Sequence, residues 1–416
     1  MMRAHKIEMV PTPEPAIYFR KACGTARFTY NWGLQRWNER HAAGEKPHVF
    51  ALKKELNALK SEQFPWMYEV TKCAPEAALA DLGNAFANYF RDLQRTGGRR
   101  AKRPTFKKRG RCRDSFSVSN DQFVIEGRQI RLPHIGFVRL RESLRFDGRI
   151  LGASVSREAD RWFVAVPVDV EDVPIQRKNQ APVGIDLGIL HAVPLSTGKH
   201  CDAPKSLAKN LRKLRRLSRR LSRQQKGSRN RKKATMQVAR LHRRIANIRL
   251  DWTHKLTTTL TRRYGVIGLE DLAVGNLLHN RHLARAIADV GLGEMRRQFE
   301  YKAPAHGGQV VFVGRFFPSS KTCRKCGTQN NLLTLAERTF VCSACRYTED
   351  RDLHASRNIL REGLRIIKTT EGPSGSDACG QVASTKRSRF ASRLVEAGRA
   401  QARGKTPKES SGREYV

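Results

Sequence analysis

The sequence predicts a multidomain protein that combines α/β and α+β architecture. Residues 117–170 alternate apolar and polar side chains between turn residues, which is typical of a meander or a small β-barrel. Residues 21–95 carry apolar side chains at helical spacing, Leu79 and Leu82 among them, which indicates a helical region. After residue 183, apolar strands alternate with long helices, and this order is typical of a sheet covered by helices.

The composition indicates a nucleic-acid partner. The chain has 416 residues, enough for two or three compact units, and its 80 Lys and Arg against 38 Asp and Glu give a net charge of +42. So much like charge repels itself unless a polyanion neutralises it, and phosphate backbones do so in any sequence. A membrane surface is a poorer candidate, because the sequence has no long apolar span and no amphipathic anchor.

The N-terminus and the cysteines indicate a cytoplasmic protein. The first fifteen residues lack the apolar segment of a signal peptide, so no secretion is expected. The nine cysteines are an odd number, and four of them cluster, which favours a metal site in a reducing compartment over a disulfide framework.

Two segments concentrate the positive charge. Thr96–Phe116 is rich in Lys and Arg and contains Phe106, a combination suited to phosphates and stacked bases, although a solvated loop would look the same. No acid occurs between Lys205 and Arg249, where two long helices are predicted with a hairpin tip at 226–233. The predicted apolar seams are Leu207, Leu211, Leu214, Leu217 and Leu221 in the first helix, and Leu241, Ile245, Ile248, Trp252 and Leu256 in the second. Such a hairpin fits an elongated nucleic-acid groove.

A cluster of four cysteines predicts a zinc ribbon. Cys323 and Cys326 form one CxxC pair, and Cys342 and Cys345 form a second after fifteen residues that are expected to supply a hairpin. Each pair can place two thiolates on one tetrahedral ion, and Gly327 permits the tight turn after the first pair. A redox pair would explain one CxxC, but two at this spacing favour a structural zinc. The other cysteines are scattered and are predicted to be unpaired: Cys23, Cys73, Cys112, Cys201 and Cys379.

Three acids occur where a strand or a helix start would hold them. Asp186 lies inside the apolar segment VGIDLGI, where Gly184 and Gly188 share its face of a strand. This predicts that the Asp186 carboxylate lies on a strand face with no neighbouring side chains, where a metal ion and a phosphate could approach. Glu270 ends the predicted strand VIGLE, and Asp352 begins a predicted helix, whose N-terminus favours an anion.

Together the acids predict a metal-dependent hydrolase. One such acid is more often a helix cap or an ion-pair partner, but three in so basic a chain favour a shared site. Oxygen ligands suit Mg²⁺ or Mn²⁺, and two such ions can activate a water and stabilise the leaving 3′ oxygen. The expected chemistry is phosphodiester hydrolysis on an RNase H-like scaffold. Spacing alone does not choose between Asp350 and Asp352 as the third ligand.

A series of motifs runs along the chain: RFTYNW, RPTFKKRGRCRDSF, VGIDLGI, GLEDL, LARAIADVGLGEMRRQFEYKA, the two CxxC pairs, DRDLHASRNI and a late ACG. Together they resemble the TnpB (OrfB) proteins of bacterial and archaeal insertion sequences, which are similar to compact type V CRISPR effectors. The resemblance extends from the first residue to the late 360s.

The resemblance implies a fold and a site. It makes Asp186, Glu270 and Asp352 the Mg²⁺- or Mn²⁺-binding catalytic acids of a RuvC-like DNA endonuclease, and the four clustered cysteines the ligands of a structural zinc. The implied domains are a β-barrel wedge in 1–20 and 96–176, a helical recognition insert in 21–95, a RuvC nuclease in 180–320 and 347–366, a zinc ribbon in 321–346, and a disordered basic tail in 367–416.

The resemblance also implies the partners. It predicts a guide RNA from the transposon end and a double-stranded DNA target, read by base pairing next to a short flanking motif. The assembly is expected to be a monomeric ribonucleoprotein, located in the cytoplasm of a prokaryote at its nucleoid.

One departure from the family motif leaves two alternatives open. The family reads DRDxNAA, whereas this chain has His354 and Ser356 at the Asn and the second Ala. His354 is expected to hydrogen-bond a nearby group or to contact nucleic acid.

A guided DNA-binding regulator that does not cut and an accessory transposase protein are alternative functions, because RNase H-like folds host several chemistries. The presence of all three acids favours cleavage.

Overall fold

A computed structural model describes residues 1–94, 102–171, 181–189, 191–334 and 337–370. The chain divides into two units, Met1–Ile367 and Lys368–Val416, and the second is described only at its first three residues, which are helical. The predicted linker at 171–181 and the predicted tail, with Cys379, therefore lie almost wholly outside the described residues. Within the described residues, no helix is both long and apolar enough to cross a membrane.

An eight-stranded antiparallel sheet occupies the first part of the chain. Its strands are β1 (Met2–Val10), β2 (Ser115–Ser119), β3 (Val124–Glu126), β4 (Gln129–Leu132), β5 (Gly136–Leu140), β6 (Arg149–Ile150), β7 (Gly152–Glu158) and β8 (Arg161–Asp169). They pair in the order β2-β7-β8-β1-β5-β4-β3, and β6 pairs with the end of β8. The predicted strands are confirmed, but β1 lies in the middle of the sheet, which is not a simple meander. Closure into a barrel stays a prediction.

Three helices lie between β1 and β2 along the chain: α1 (Pro13–Ala42), α2 (Val49–Gln63) and α3 (Cys73–Leu93). The predicted boundary at residue 21 is wrong, because α1 already begins at Pro13. Proline suits the first turn of a helix, where its missing N–H has no partner to lose, and Pro13 begins α1. Phe19 in α1 is buried in the core of the sheet, whereas Trp37 in the same helix stacks on Phe86 of α3 with ring centroids 4.2 Å apart.

A small parallel sheet lies in the second part of the chain. Its strands are β9 (Pro182–Ile185), β12 (Val266–Glu270) and β13 (Gln309–Val313), in the order β13-β12-β9, with a short hairpin of β10 (Val193–Pro194) and β11 (His200–Cys201) after β9. The surrounding helices are α4 (Ser206–Arg223), α5 (Arg229–Arg263), α6 (Val274–Leu277), α7 (Ala284–Val290) and α8 (Leu292–Ala305). The strand predicted at VIGLE is confirmed as β12, whereas β9 ends at Ile185, before the end of the predicted segment VGIDLGI.

The last described elements are β14 (Thr339–Val341), β15 (Thr348–Asp350) and α9 (Arg351–Thr370). Helix α9 crosses the small sheet at very close range. A Cβ added to Gly184 would lie 2.0 Å from the carbonyl oxygen of Ser356, and one added to Gly268 would lie 3.3 Å from that of Ile359. The glycines therefore make room for the backbone of α9. The prediction that Gly184 and Gly188 leave an open face beside Asp186 is wrong at Gly184, where α9 covers the strand.

The two basic helices form a hairpin, as predicted. Its tip is shorter than expected, because α5 already begins at Arg229, and Arg231 donates from its guanidinium to the carbonyls of Leu221 and Gln224. Leu221 lies in the last turn of α4 and Gln224 is its C-cap, and a cation suits the carbonyls at this end of a helix. The predicted seams are only partly buried: the five leucines of α4 are intermediate in exposure, and Ile248 in α5 is exposed.

Candidate active site and metal centres

Asp186 and Glu270 lie side by side at the ends of two neighbouring parallel strands. β9 and β12 pair in constant register, with Leu269 opposite Ile185, and the next positions along the two strands are Glu270 and Asp186. Adjacent strands are about 4.8 Å apart, so the two acids are brought together by the sheet itself. The sequence placed Asp186 inside a strand, but β9 ends at Ile185, and the acid begins the segment that leaves the sheet.

Asp352 joins this pair from the first turn of α9. The close approach of that helix to Gly184 and Gly268 carries its N-terminus to the strand ends. Asp186 experiences the negative charges of both Glu270 and Asp352, so all three predicted acids share one electrostatic environment.

Asp350 has a different role from Asp352. Its carboxylate accepts a hydrogen bond from the backbone N–H of Leu353 at 3.0 Å, which is the geometry of a helix N-cap. The side chain is exposed, and its charge is not among those that act on Asp186. Of the two acids, Asp352 is the one whose charge acts on Asp186.

The electrostatics of the site are unfavourable without a cation. Burial, followed by the negative charges of Glu270 and Asp352, raises the pKa of Asp186 to about 8. Burial also raises the pKa of Glu270, against the hydrogen bond that Ser319 donates to it. Three carboxylates repel one another, and no choice of one oxygen from each acid brings all three within 4.8 Å of one another. A divalent cation would relieve this repulsion, and oxygen donors are the ligands that Mg²⁺ and Mn²⁺ prefer.

A buried hydrogen-bond network, which the sequence did not reveal, supports Glu270. The Ser319 hydroxyl donates to the carboxylate of Glu270, and Ser319 is itself buried. The side-chain amide of Asn358 in α9 donates to the carbonyls of Ser319 and Thr322 at 2.7 and 2.8 Å. These bonds connect one acid of the site to the helix that carries another.

His354 belongs to the same network. It is fully buried, its Nε2 lies 2.8 Å from the carbonyl oxygen of Thr322, and its ring stacks on Phe340 with centroids 4.0 Å apart. Its Nδ1 lies 3.2 Å from the buried carboxylate of Glu349, which also pairs with Arg357. The expectation of a nearby hydrogen-bond partner is confirmed, whereas contact with nucleic acid is excluded by the burial of the ring.

The four clustered cysteines converge as predicted. The sulfurs of Cys323 and Cys345 are 3.6 Å apart, those of Cys326 and Cys342 are 3.5 Å apart, and all four lie within 4.8 Å of one another. Tetrahedral zinc with Zn–S bonds of about 2.3 Å requires sulfurs about 3.8 Å apart, so the donor set fits this ion closely. Four protein ligands leave no open position, which is typical of a structural site.

The backbone around the cysteines forms two equivalent turns. Gly327 and Arg346 each follow a CxxC pair by one residue, and both have positive φ, +78° and +55°. The N–H of each donates to the carbonyl of the first cysteine of its pair. The sequence predicted the first turn from its glycine but not the second, where an arginine adopts the left-handed conformation.

The extent of the ribbon differs from the prediction. One strand of its hairpin, β14, lies between the two cysteine pairs as predicted, whereas the other strand, β15, follows the second pair. Because Thr339 pairs with Asp350, the boundary predicted at 346 moves to 350.

Two motifs of the N-terminal half are in direct contact. Asn31 in α1 exchanges two hydrogen bonds with the backbone of Lys107, at 2.9 and 2.7 Å, and the ammonium of Lys107 lies 3.7 Å from the ring centroid of Tyr30. The YNW motif therefore holds the described part of the basic segment, in which Phe106 is half exposed.

Sequence comparisons place the chain in a family. A profile described as "Probable transposase" (OrfB_IS605) matches residues 165–281, one described as "Cas12f1-like, TNB domain" matches 293–359, and a "Helix-turn-helix domain" matches 1–46. Over residues 1–46 the structure has one strand and one long helix.

Curated relatives cover almost the whole chain. "Putative RNA-guided DNA endonuclease" from Streptomyces pristinaespiralis is 36% identical over 377 residues, 89% of this chain and 91% of the relative. "Putative RNA-guided DNA endonuclease InsQ" from Escherichia coli is 32% identical over 391 residues, 89% of this chain and 94% of the relative. The chain therefore belongs to the TnpB (OrfB) family.

A solved structure shares the fold. The chain in "Cryo-EM structure of the Cas12f1-sgRNA-target DNA complex" aligns with a TM-score of 0.53 at 17% identity, covering 84% of this chain and 83% of that one. At this identity the likeness supports a common mixed α/β architecture.

Proposed function

We propose that this protein is an RNA-guided, divalent-metal-dependent DNA endonuclease encoded by an insertion sequence, which cuts target DNA next to a short flanking motif. The observation that carries the proposal is the convergence of Asp186, Glu270 and Asp352 at the ends of two parallel strands and the start of one helix. The names of the two relatives, which are similar over nine-tenths of their length, support the same activity.

The three acids are proposed to hold the catalytic ions. When bound there, Mg²⁺ or Mn²⁺ supplies the charge that activates a water and stabilises the leaving 3′ oxygen of the cut strand. Asp186 and Glu270 hold their carboxylates at fixed register positions, and Ser319 orients Glu270 through its hydrogen bond. Asp352 is positioned by α9, whose close approach to the sheet the glycines of β9 and β12 permit.

The domains are assigned on the same basis. We assign the small parallel sheet and its helices to a RuvC-like nuclease domain, within 180–320 and 351–366, and the four-cysteine module of 321–350 to a zinc ribbon. The eight-stranded sheet corresponds to the wedge and α2 and α3 to the recognition insert, with α1 shared between their cores.

The proposed partners are a guide RNA from the transposon end and double-stranded target DNA, in a monomeric cytoplasmic ribonucleoprotein. The charge of +42 and the acid-free hairpin of α4 and the first half of α5 support polyanion binding. Pairing with the guide would read the target, and the protein would read the flanking motif.

The test uses the protein expressed with the DNA that surrounds its gene. The RNA that co-purifies is sequenced, and plasmids that carry the matching target next to randomised flanking bases are incubated with the complex and Mg²⁺. We expect cutting of a subset of plasmids, and none with Asp186→Ala, which should still retain RNA and bind target. Asp350→Asn is the matched control and should cut.

Each other outcome favours a different function. A folded, RNA-loaded complex that binds the target but never cuts would support the regulator. Strand-joined products would support the accessory transposase protein. Absence of any specific RNA would contradict guided recognition altogether.

A further inference from the structure

Two histidines and one aspartate converge at the hairpin that follows β9. His191 Nδ1 lies 3.0 Å from one carboxylate oxygen of Asp202, and His200 Nε2 lies 3.9 Å from the other. The two imidazole centroids are 4.5 Å apart, and one ligand atom from each residue lies within 4.8 Å of the other two. None of these residues belongs to the carboxylate site or to the cysteine ribbon.

The hairpin holds these three side chains at fixed positions. β10 and β11 pair through Val193 opposite Cys201, and a turn with Gly198 at φ +85° joins them. Asp202 follows Cys201, so its side chain returns to the face that His200 occupies. His191 precedes β10 and reaches the same carboxylate from the other strand. The donor atoms are therefore brought together by backbone pairing and need no large rearrangement.

We propose that His191, His200 and Asp202 bind a transition-metal ion of the Zn²⁺ class. Two imidazoles and one carboxylate are the donors that Zn²⁺, Co²⁺ and Ni²⁺ accept, whereas Mg²⁺ prefers oxygen ligands alone. His200 and Asp202 are more than half exposed, so a water can complete a tetrahedral shell. A simple ion pair needs only one histidine for one carboxylate, and two protonated rings this close would repel each other.

The ion would clamp the segment that leaves the candidate active site. The Gly188 N–H donates to the carbonyl of Ala192, which ties the second residue after Asp186 to the residue directly before β10. A metal bridge from His191 to β11 fixes the far end of this short segment. The site does not depend on the proposed nuclease activity, because it is defined by its own three ligands.

The experiment counts zinc in purified full-length protein. The protein is equilibrated with a small excess of Zn²⁺, passed through a desalting column, and analysed by elemental mass spectrometry. We expect about two zinc ions per chain, one in the ribbon and one in the hairpin, and about one in His200→Ala or His191→Ala. Both side chains are at least partly exposed, so the variants should keep the far-ultraviolet circular dichroism of the wild type.

A matched control separates this site from loose histidine binding. His279 is exposed and lies outside the cluster, so His279→Ala should keep both ions. Equal zinc content in the wild type and His200→Ala would overturn the proposal, as would an equal loss in His279→Ala. Loading with Co²⁺ gives a second measurement: His200→Ala should lose cobalt but keep the thiolate charge-transfer absorption of the ribbon. If His200→Ala loses the thiolate charge-transfer absorption of the ribbon, the proposal is also overturned.

Discussion

The cysteine ribbon and the carboxylate site are built in opposite ways. The ribbon takes its four ligands from one short stretch, Cys323 to Cys345, and its two turns follow directly from the CxxC spacing. The carboxylate site takes its ligands from residues as distant as Asp186 and Asp352, and it requires a paired sheet and a helix packed against glycine. The ribbon is thus a local structure, whereas the acid site is a product of the whole domain.

The two sites also differ in what they contribute to stability. The sulfurs already lie near tetrahedral spacing, and zinc binding stabilises such a module directly. The acids oppose folding, because burial and mutual repulsion raise the pKa of Asp186 to about 8. A bound zinc would therefore hold the cysteine module together, whereas the three acids are held in place by their surroundings at a cost, as functional sites often are.

The largest effect is expected from breaking the ribbon. Cys342→Ser removes a buried cysteine of the proposed zinc site, and structural zinc contributes about 10–16 kcal/mol to the folding of such modules. We expect loss of the ribbon zinc and of amide protection across residues 321–350, measured by hydrogen exchange. Cys112→Ser, outside the cluster, should change neither. Protection that survives in Cys342→Ser would show that the ribbon does not depend on its metal.

The second prediction distinguishes the role of Asp352 from that of Asp350. Asp352→Asn should lower the cleavage rate about a thousandfold, since several kcal/mol of transition-state stabilisation depend on a metal ligand. Asp350→Asn should have little effect, because asparagine caps a helix as well as aspartate does. Rates measured on a matched plasmid compare the two. The reverse ranking would transfer the ligand role to Asp350.

The third prediction concerns pH. With a pKa of about 8, Asp186 is mainly protonated at lower pH, so a cation must displace its proton. The Mg²⁺ concentration for half-maximal cleavage should fall by up to about tenfold per unit as pH rises to about 8, and then level off. Asp350→Asn should show the same slope as the wild type. A requirement for Mg²⁺ that is flat below pH 8 would contradict this arrangement.

The smallest effect is expected from the support of Glu270. Ser319→Ala removes a hydrogen bond to a buried carboxylate, and bonds to charged groups contribute about 1.5–3 kcal/mol. We expect a loss of about tenfold in cleavage and a higher Mg²⁺ requirement, with RNA binding unchanged. The neighbouring variant Ser320→Ala leaves the bond to Glu270 in place. If both variants cut at the wild-type rate, Ser319 does not orient the acid.

Local patterns in the sequence determined the elements that depend on neighbours along the chain. The CxxC pairs predicted the ribbon, alternation predicted β7 and β8, and the apolar segment VIGLE predicted β12. They also identified Asp186, Glu270 and Asp352 as unusual acids, because each interrupts an apolar or basic context at a strand end or helix start. Spacing and periodicity are sufficient to predict these elements, because each pattern is contained within a few neighbouring residues.

Only the tertiary structure decided which distant residues meet. The glycines of β9 and β12 proved to make room for the backbone of α9. Helix α4 is capped by buried Asp289, which accepts hydrogen bonds from the backbone of Leu207 and Ala208. No local pattern could show these contacts, because close packing selects partners by shape and by unmet hydrogen bonds, and sequence distance does not enter into either.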